Sequence, residues 1–368
     1  MKARYRKGFT MVELLLSLGL FSLLLVGLLQ LLDTSTDLWR RVEVRREETE
    51  VASALAARLE RDLSTLEAGP EGDLLADWTL VDVDGNGLAS LPLARLRFVR
   101  RASPREVARL SAAQAPEELF ADPEADTEWA RANRRLVEVA WVLTSADSKG
   151  FEGQLLRGER FLDDPARLSL FDPRVFGPSG RPVPGLFEEL ASGVLWMEMA
   201  FASPTTQMNP TSGAVSRWEV GGSPSNGGSS WDAWDRGRPN LELTDFNAPA
   251  VGLAPVNKAP ALPRRVRVAF EVQPERDRAR RTSLVDGIEF DTASCLCLDG
   301  RRLPAPGGFL LVDEEWMELL AVFGERASVR RGARGTVPAP HKAGTKLWYG
   351  WRTEIEVPVG VAREDWDL

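Results

Sequence analysis

The chain has 368 residues, 43% of them hydrophobic and 27% charged, which excludes disorder over its whole length. Its 54 acidic and 46 basic residues leave a formal charge of −8, a poor match for a phosphate backbone, so no nucleic-acid partner is expected. One histidine and two cysteines exclude a His-rich metal centre and a multi-disulfide scaffold.

Residues 1–8 form a basic leader, with Lys2, Arg4, Arg6 and Lys7 and no acidic residue. Phe9 to Leu32 is a run of 24 residues, apolar almost throughout, which as a helix would span about 36 Å and cross a bilayer core of about 30 Å. The basic flank predicts a cytoplasmic N-terminus and an exported remainder. The run is too long for a secretory signal core, and no small-residue cleavage site follows it. Glu13 interrupts it. A carboxylate at membrane depth is costly unless paired, so in isolation Glu13 reads as an interfacial residue one turn into the helix.

Residues 33–69 are predicted to continue the helix as an amphipathic spine. Leu55, Leu59, Leu63 and Leu66 follow helical spacing, and Ala68-Gly69-Pro70 is a stop signal. Residues 70–368 read as a β-rich head. Period-2 alternation predicts strands at Leu93–Val99, Leu136–Leu143, Val194–Phe201, Pro263–Val272 and Thr353–Val359, with Leu155–Leu162 as a partner for the second. The segment 117–135 is polar and reads as a loop or short helix. Residues 203–262 are rich in Gly, Ser, Pro, Thr and Asn and read as a long flexible loop. Trp231 and Trp234 lie inside it and predict that part of it docks on the head. Residues 307–349 form a separate pattern, with Arg331, Gly332, Gly335, Thr336, His341, Gly344 and Thr345 spaced as in a small β-module built on tight turns. The simpler reading of that segment is a hairpin extension of the head.

Three further sites need weighing. Asp82, Asp84 and Asn86 open a D-x-D-x-N-G pattern like a calcium loop, with Asp73 and Asp77 as outside ligands. The twelfth position is Leu93 rather than Glu, and a hairpin turn explains the same residues. Calcium is thus the only cofactor candidate, and otherwise none is expected. Cys295 and Cys297 are two apart. A regular strand disfavours a disulfide between them and a bulge would permit it; two buried thiols fit equally well. His341 follows Pro338-Ala339-Pro340 without a nucleophile motif nearby, so it reads as structural rather than catalytic.

Gly8-Phe9-Thr10-Met11-Val12-Glu13, after a basic leader and before an apolar helix, closely resembles the class III signal of type IV pilins and pseudopilins. The resemblance implies cleavage after Gly8 by a prepilin peptidase and N-methylation of the new N-terminus, Phe9. It also implies that Glu13 pairs with the Phe9 amine of a neighbouring subunit during assembly. Loss of the leader takes the formal charge from −8 to −12. Gln30 stands where major pilins often carry a proline. Further along, Gly193–Phe201 (GVLWMEMAF), a loop with Trp231-Asp232-Ala233-Trp234, and Leu262–Val272 (LPRRVRVAFEV) resemble in order the J-type minor pseudopilins of type II secretion and related minor pilins. The implied fold is α+β: a long N-terminal spine helix packed against a strand-rich head, with a large loop and a small β insertion. The implied protein is no enzyme but the substrate of one. It would be a single-pass inner-membrane protein with a periplasmic head that moves to a filament tip. There it would prime or cap assembly with other minor pseudopilins or pilins and the major subunit. The alternative is a filament-borne adhesin or ligand-binding tip module.

Overall fold

A computed structural model describes residues 11–67, 72–81, 91–114, 136–145, 153–164, 167–177, 180–209, 213–219, 231–232, 262–263, 265–273 and 282–359. The chain is α+β, an N-terminal apolar helix followed by strands. It divides into two units, Met1–Thr49 and Glu50–Leu368. Helix α1 runs Met11–Ser64. No proline interrupts it; leucine dominates the first half, and alanine, leucine and arginine the last turns, so local propensity favours helix at both ends.

Helix α1 stops before the predicted Ala68-Gly69-Pro70 signal, because the chain changes partner. Arg101 N donates to Thr65 O at 2.8 Å and Glu67 N to Val99 O at 3.0 Å. These bonds continue the sheet along β2 (Leu91–Arg101) beyond the point where β1 (Leu74–Val81) ends its pairing, Leu74 opposite Phe98. Sheet hydrogen bonds replace helical ones, so no backbone group is stranded at the switch.

The first sheet also contains β3 (Leu136–Ser145), β4 (Gly153–Phe161), β5 (Phe187–Ser192) and β8 (Trp231–Asp232), in the order β5-β4-β3-β2-β1-β8. The second is built from β6 (Val194–Asn209), β7 (Gly213–Glu219), β9 (Arg265–Val272) and β14 (Trp351–Pro358), in the order β14-β9-β6-β7. The third holds β10 (Ser294–Leu296), β11 (Phe309–Val312), β12 (Glu315–Phe323) and β13 (Arg326–Ala333), in the order β10-β13-β12-β11. Every recorded pairing between these strands is antiparallel.

Alternation sorts the first sheet's side chains into two faces. Leu74, Ala76, Trp78, Leu96, Phe98, Val139 and Trp141 share one core with Ala52, Leu55, Leu59 and Leu63 of α1 and with Trp196, Met199, Val268 and Phe270 of the second sheet. The opposite face is covered by the segment between β4 and β5. Leu170, Val175 and Phe176 bury Ala140 and Val142, and Phe171 packs with Leu75 and Val99. Gly158 lies beneath this cover, where a Cβ would meet the Phe187 ring at 3.0 Å.

The predicted strands all appear, most of them longer than predicted, but β9 begins at Arg265 rather than Pro263 and β14 is shifted to Trp351–Pro358. Two expectations are corrected. The segment 203–262 is not wholly loop: β6 continues to Asn209 and β7 returns along it, with Asn209 opposite Gly213. Polar composition does not prevent pairing where Thr206, Gln207 and Val215 can extend an existing ladder. Trp231 begins β8, which pairs with β1 (Trp231 opposite Ala76); Trp234 lies outside the described residues. Second, the module is larger than 307–349. Its sheet begins at Ser294, and bridges tie Ser283 to Lys346, Leu284 to Cys297 and Ile288 to His341. It has a core of its own, built on Leu284, Ile288, Leu310, Met317, Leu319, Val329 and Leu347. The segment 117–135 lies outside the described residues. Just before it, α2 (Pro104–Gln114) is a helix that alternation did not reveal.

Candidate functional site

At the N-terminal end, Gly8 and Phe9 lie outside the described residues. Glu13 sits in the first turn of α1. From Met11 to Thr36 the helix has a mean hydropathy of 2.4 and no buried residue, long and apolar enough to cross a membrane. Hydroxyls within it bond back to the helix: Ser17 Oγ to Leu14 O at 2.9 Å, Ser22 Oγ to Leu18 O at 2.9 Å, Thr34 Oγ1 to Gln30 O at 2.8 Å and Thr36 Oγ1 to Leu32 O at 2.7 Å. A hydroxyl satisfied this way carries no open donor into hydrocarbon. Trp39 follows three residues after the window and is exposed, a residue type suited to the headgroup layer.

Residues 3–29 match the family model described as the prokaryotic N-terminal methylation motif. The chain carries the prepilin-type signal. This motif marks pilin-like proteins that are processed by a prepilin peptidase, assemble with other pilins and are anchored by the apolar helix. The match ends at residue 29, so the prepilin-like chain's head lies beyond it. No curated protein matches the chain.

Within the second unit, the last turns of the spine meet the head through a buried ionic cluster. Asp62 is 1% exposed. Its carboxylate accepts from Arg157 Nε at 2.8 Å and Nη2 at 3.1 Å, and from Trp141 Nε1 at 3.1 Å. Arg100 Nε approaches at 3.3 Å. Arg157 is also bonded to Glu159 at 2.6 Å, and Arg100 donates to both oxygens of Glu106 at 3.2 and 3.0 Å. Glu159 takes a further cation, Arg109 of α2. Helix α2 is set by a capping box: Glu106 accepts from Ser103 N at 2.8 Å, and Ser103 Oγ accepts from Glu106 N at 3.3 Å. Burial alone would raise the Glu106 carboxyl, but the bonds from Arg100 and Ser103 hold it at about 2. The S-P-x-E pattern that encodes this cap was legible in the sequence and was overlooked.

The opposite face of the first sheet holds a second pair. Asp77 accepts from Arg95 at 3.1 and 2.5 Å and from Arg97 at 2.5 Å, beneath the Phe176 ring. Burial opposes the charge on Asp77, and the two arginines outweigh it and keep the carboxyl below its ordinary range. Asp77 is therefore taken by arginines and is not an outside ligand for calcium. Asp82, Asp84 and Asn86 lie outside the described residues. Among the described residues no group of three His, Cys, Asp or Glu is placed to hold a metal.

In the module, the Arg331 to Thr345 signature is a folding hub. Glu315 accepts from Arg331 Nε and Nη2, each at 2.7 Å, from Gly332 N and Ala339 N, each at 2.9 Å, and from His341 Nε2 at 3.0 Å. His341 Nδ1 meets Asp313 Oδ2 at 2.7 Å. Both ring nitrogens thus face carboxylates, an arrangement that favours imidazolium. Burial pushes His341 down, and the bonds to Asp313 and Glu315 reverse the shift and raise it. Burial likewise pushes Glu315 up, but its donors, His341 and Arg331 foremost, hold it at about 2. Gly332 has φ 63° with Pro338 at 3.0 Å from a Cβ placed there, so glycine is required. Thr336 Oγ1 accepts from Trp316 N at 2.9 Å.

Arg334 points the other way. It is buried with φ 54°, stacks over Phe309 at 4.0 Å, Trp316 at 4.2 Å and Trp196 at 4.7 Å, and donates to Glu271 of β9 at 2.6 Å. One guanidinium therefore joins module to head. Nothing in the sequence singled out Arg334, Asp62 or Glu315, because each acquires its role from partners 16 to 95 residues away. Cys295 and Cys297 are free, buried thiols in the module core. Cys297 Sγ donates to Glu325 O at 3.0 Å, and burial pushes Cys295 up to about 11, away from thiolate.

Proposed function

We propose that the chain is a minor pseudopilin or minor pilin of the J type. A prepilin peptidase cleaves it after Gly8 and methylates Phe9, and it then primes or caps a type II secretion pseudopilus or type IV pilus as part of a tip complex. The leader, 1–8, is lost; 9–32 serves as membrane and then filament core; 33–69 is the spine; 70–368 is the periplasmic head. Its role is assembly rather than catalysis. The observation that carries the reading is the methylation motif over residues 3–29 at the start of a 26-residue apolar helix segment. Glu13 of an incoming subunit would neutralise the Phe9 ammonium of its neighbour, two charges that are costly apart in a low-dielectric layer. The J-type assignment draws support from β6 and β9, the two strands that carry the GVLWMEMAF and LPRRVRVAFEV segments. They are neighbours in one sheet, with Met197 opposite Phe270.

Processing and assembly are tested separately. Gly8→Ala should leave an unshifted precursor on a gel, and normal maturation would remove the peptidase step. Glu13→Ala should mature normally yet fail to enter filaments; wild-type incorporation would overturn the pairing mechanism.

A second reading, a ligand-binding tip module, draws on one observation. Outside α1, six of the nine exposed large hydrophobic side chains recorded among the described residues fall in the module: Val285, Phe290, Leu298, Leu320, Phe323 and Val337. Leu320→Glu with Phe323→Glu changes that surface without touching a core. Filaments intact with surface binding lost would favour the adhesin; filaments lost would favour the structural role.

A further inference from the structure

We propose that Asp62 is the register key of the spine on the head: its carboxylate selects one axial position of a leucine ladder that would otherwise fit at several. The head-facing stripe of α1 is Ala52, Leu55, Leu59 and Leu63, all buried in the shared core. Three of the four are leucines four residues apart. A slide by one such step, about 6 Å along the helix, sets two of the three leucines into leucine sites. Shape alone therefore discriminates weakly between registers.

Asp62 breaks that degeneracy. It is the one charged residue of α1 that is buried among those described. Only the observed register brings it to Arg157 at 2.8 Å, to Arg100 at 3.3 Å and to the Trp141 indole at 3.1 Å. Displaced by one step toward the N-terminus, the aspartate would lie where the part-exposed Arg58 lies, away from its donors, and Arg157 would lose the carboxylate that both its Nε and Nη2 address. A polar group with partners in one arrangement and none in the alternatives gives uniqueness rather than raw stability. Its place in the last turn supports the same role. An anion near a helix C-terminus is disfavoured by the helix dipole, so the isolated spine gains nothing from it. Its use lies with the arginines of β2 and β4. Across a spine-built filament, the register of head on spine would fix which head residues meet a neighbour. That consequence rests on the function proposed above; the register itself does not.

The test uses the full-length protein in detergent micelles and the double variant Asp62→Leu, Arg157→Met. It removes one negative and one positive charge together, while Arg100 keeps Glu106. Hydrogen exchange is read at Glu67 and Arg101, whose amides bond across the helix-to-sheet switch, and at β12 and β13 as a control. Loss of the key predicts a folded protein in which Glu67 and Arg101 exchange about a hundredfold faster, with the control strands unchanged. It also predicts more than one set of amide resonances for Leu55–Leu63. A single set with native protection overturns the proposal. Failure to fold also overturns it, because Asp62 would then be a stability element. Leu59→Ala trims the ladder and spares the key, so it should keep one set; doubling there would mean that the ladder, not Asp62, sets the register. Processing after Gly8 should be untouched in all variants, so this inference and the prepilin reading fail independently.

Discussion

Among the described residues, Asp62 meets its arginines within a core of 37 buried hydrophobic residues, three of them (Leu311, Trp316 and Ala333) contributed by the module, whereas Glu315 gathers five donors beside the module's own core of 11. The head's apolar burial is large enough that a buried ion pair can be given over to specificity. The module is small, and a short chain buries too little apolar surface to define its turns. Arg331, Gly332, Ala339 and His341 are instead tied to one carboxylate. The contrast predicts that polar substitutions injure the module most and apolar ones the head.

The largest effect should come from Glu315→Ala. It removes the acceptor that Arg331, His341 and the amides of Gly332 and Ala339 share, at a cost of about 3–5 kcal/mol. Exchange should accelerate across β10–β13 while β2–β4 stay protected; equal acceleration in both would erase the distinction between the regions. Leu59→Ala should cost about 3 kcal/mol by opening a cavity in the head core. A denaturant midpoint that does not fall would show that the spine is not part of that core. The third effect is smaller and depends on pH. Because His341 is raised in the folded state, its contribution is complete below the unfolded value of about 6.5 and is lost as pH climbs through the folded value. Glu315 acts in the opposite sense, its contribution present above about 4.5 and lost as pH falls toward the folded value of about 2. Module stability, read from hydrogen exchange at β12 and β13, should therefore decline above about pH 6.5, and His341→Gln should flatten that limb. A limb of equal slope in the variant would clear His341 of the effect. Last, Arg265 and Glu356 pair at 2.6 Å on the exposed face of the second sheet, so Glu356→Gln should change stability by about 1 kcal/mol or less. A larger loss in urea titration would mean that this ladder is more than a solvated surface.

Much of the fold was legible where one short window carries the signal. The apolar run, the motif at Gly8–Glu13 and the alternating strands each depend on neighbours within a dozen residues. Alternation also placed Arg95 and Arg97 on a single face of β2. It could not say that this face is buried, because the cover comes from Phe171 and Phe176, some 75 residues on. The helix end was misplaced for the same reason: Thr65 and Glu67 leave α1 for partners on β2, and the breaker at Gly69-Pro70 is never reached. The loop composition of 203–262 misled because an edge strand needs a ladder to join more than it needs apolar residues. His341 lies in a pattern of turns in the sequence, but Asp313 and Glu315, which hold its two ring nitrogens, carry no motif that names them.

The second sheet was described by its order, β14-β9-β6-β7. Its inner strands, β6 and β9, start at residues 194 and 265, and the edge strand that covers β9 starts only at 351, so the sheet is not complete until the C-terminal end of the chain is available. The first sheet, β1 to β5, is a meander of near neighbours and needs no such wait. If the head is exported as proposed, this sets a timetable: anchor, meander, module, and only then the strand that seals Val266 and Phe270 from water. A translocation intermediate arrested before Trp351 would display the bare edge of β9, a site open to unwanted pairing. Limited proteolysis of such an arrested chain should cut within β9 and spare β2–β4; protection of β9 would refute the order.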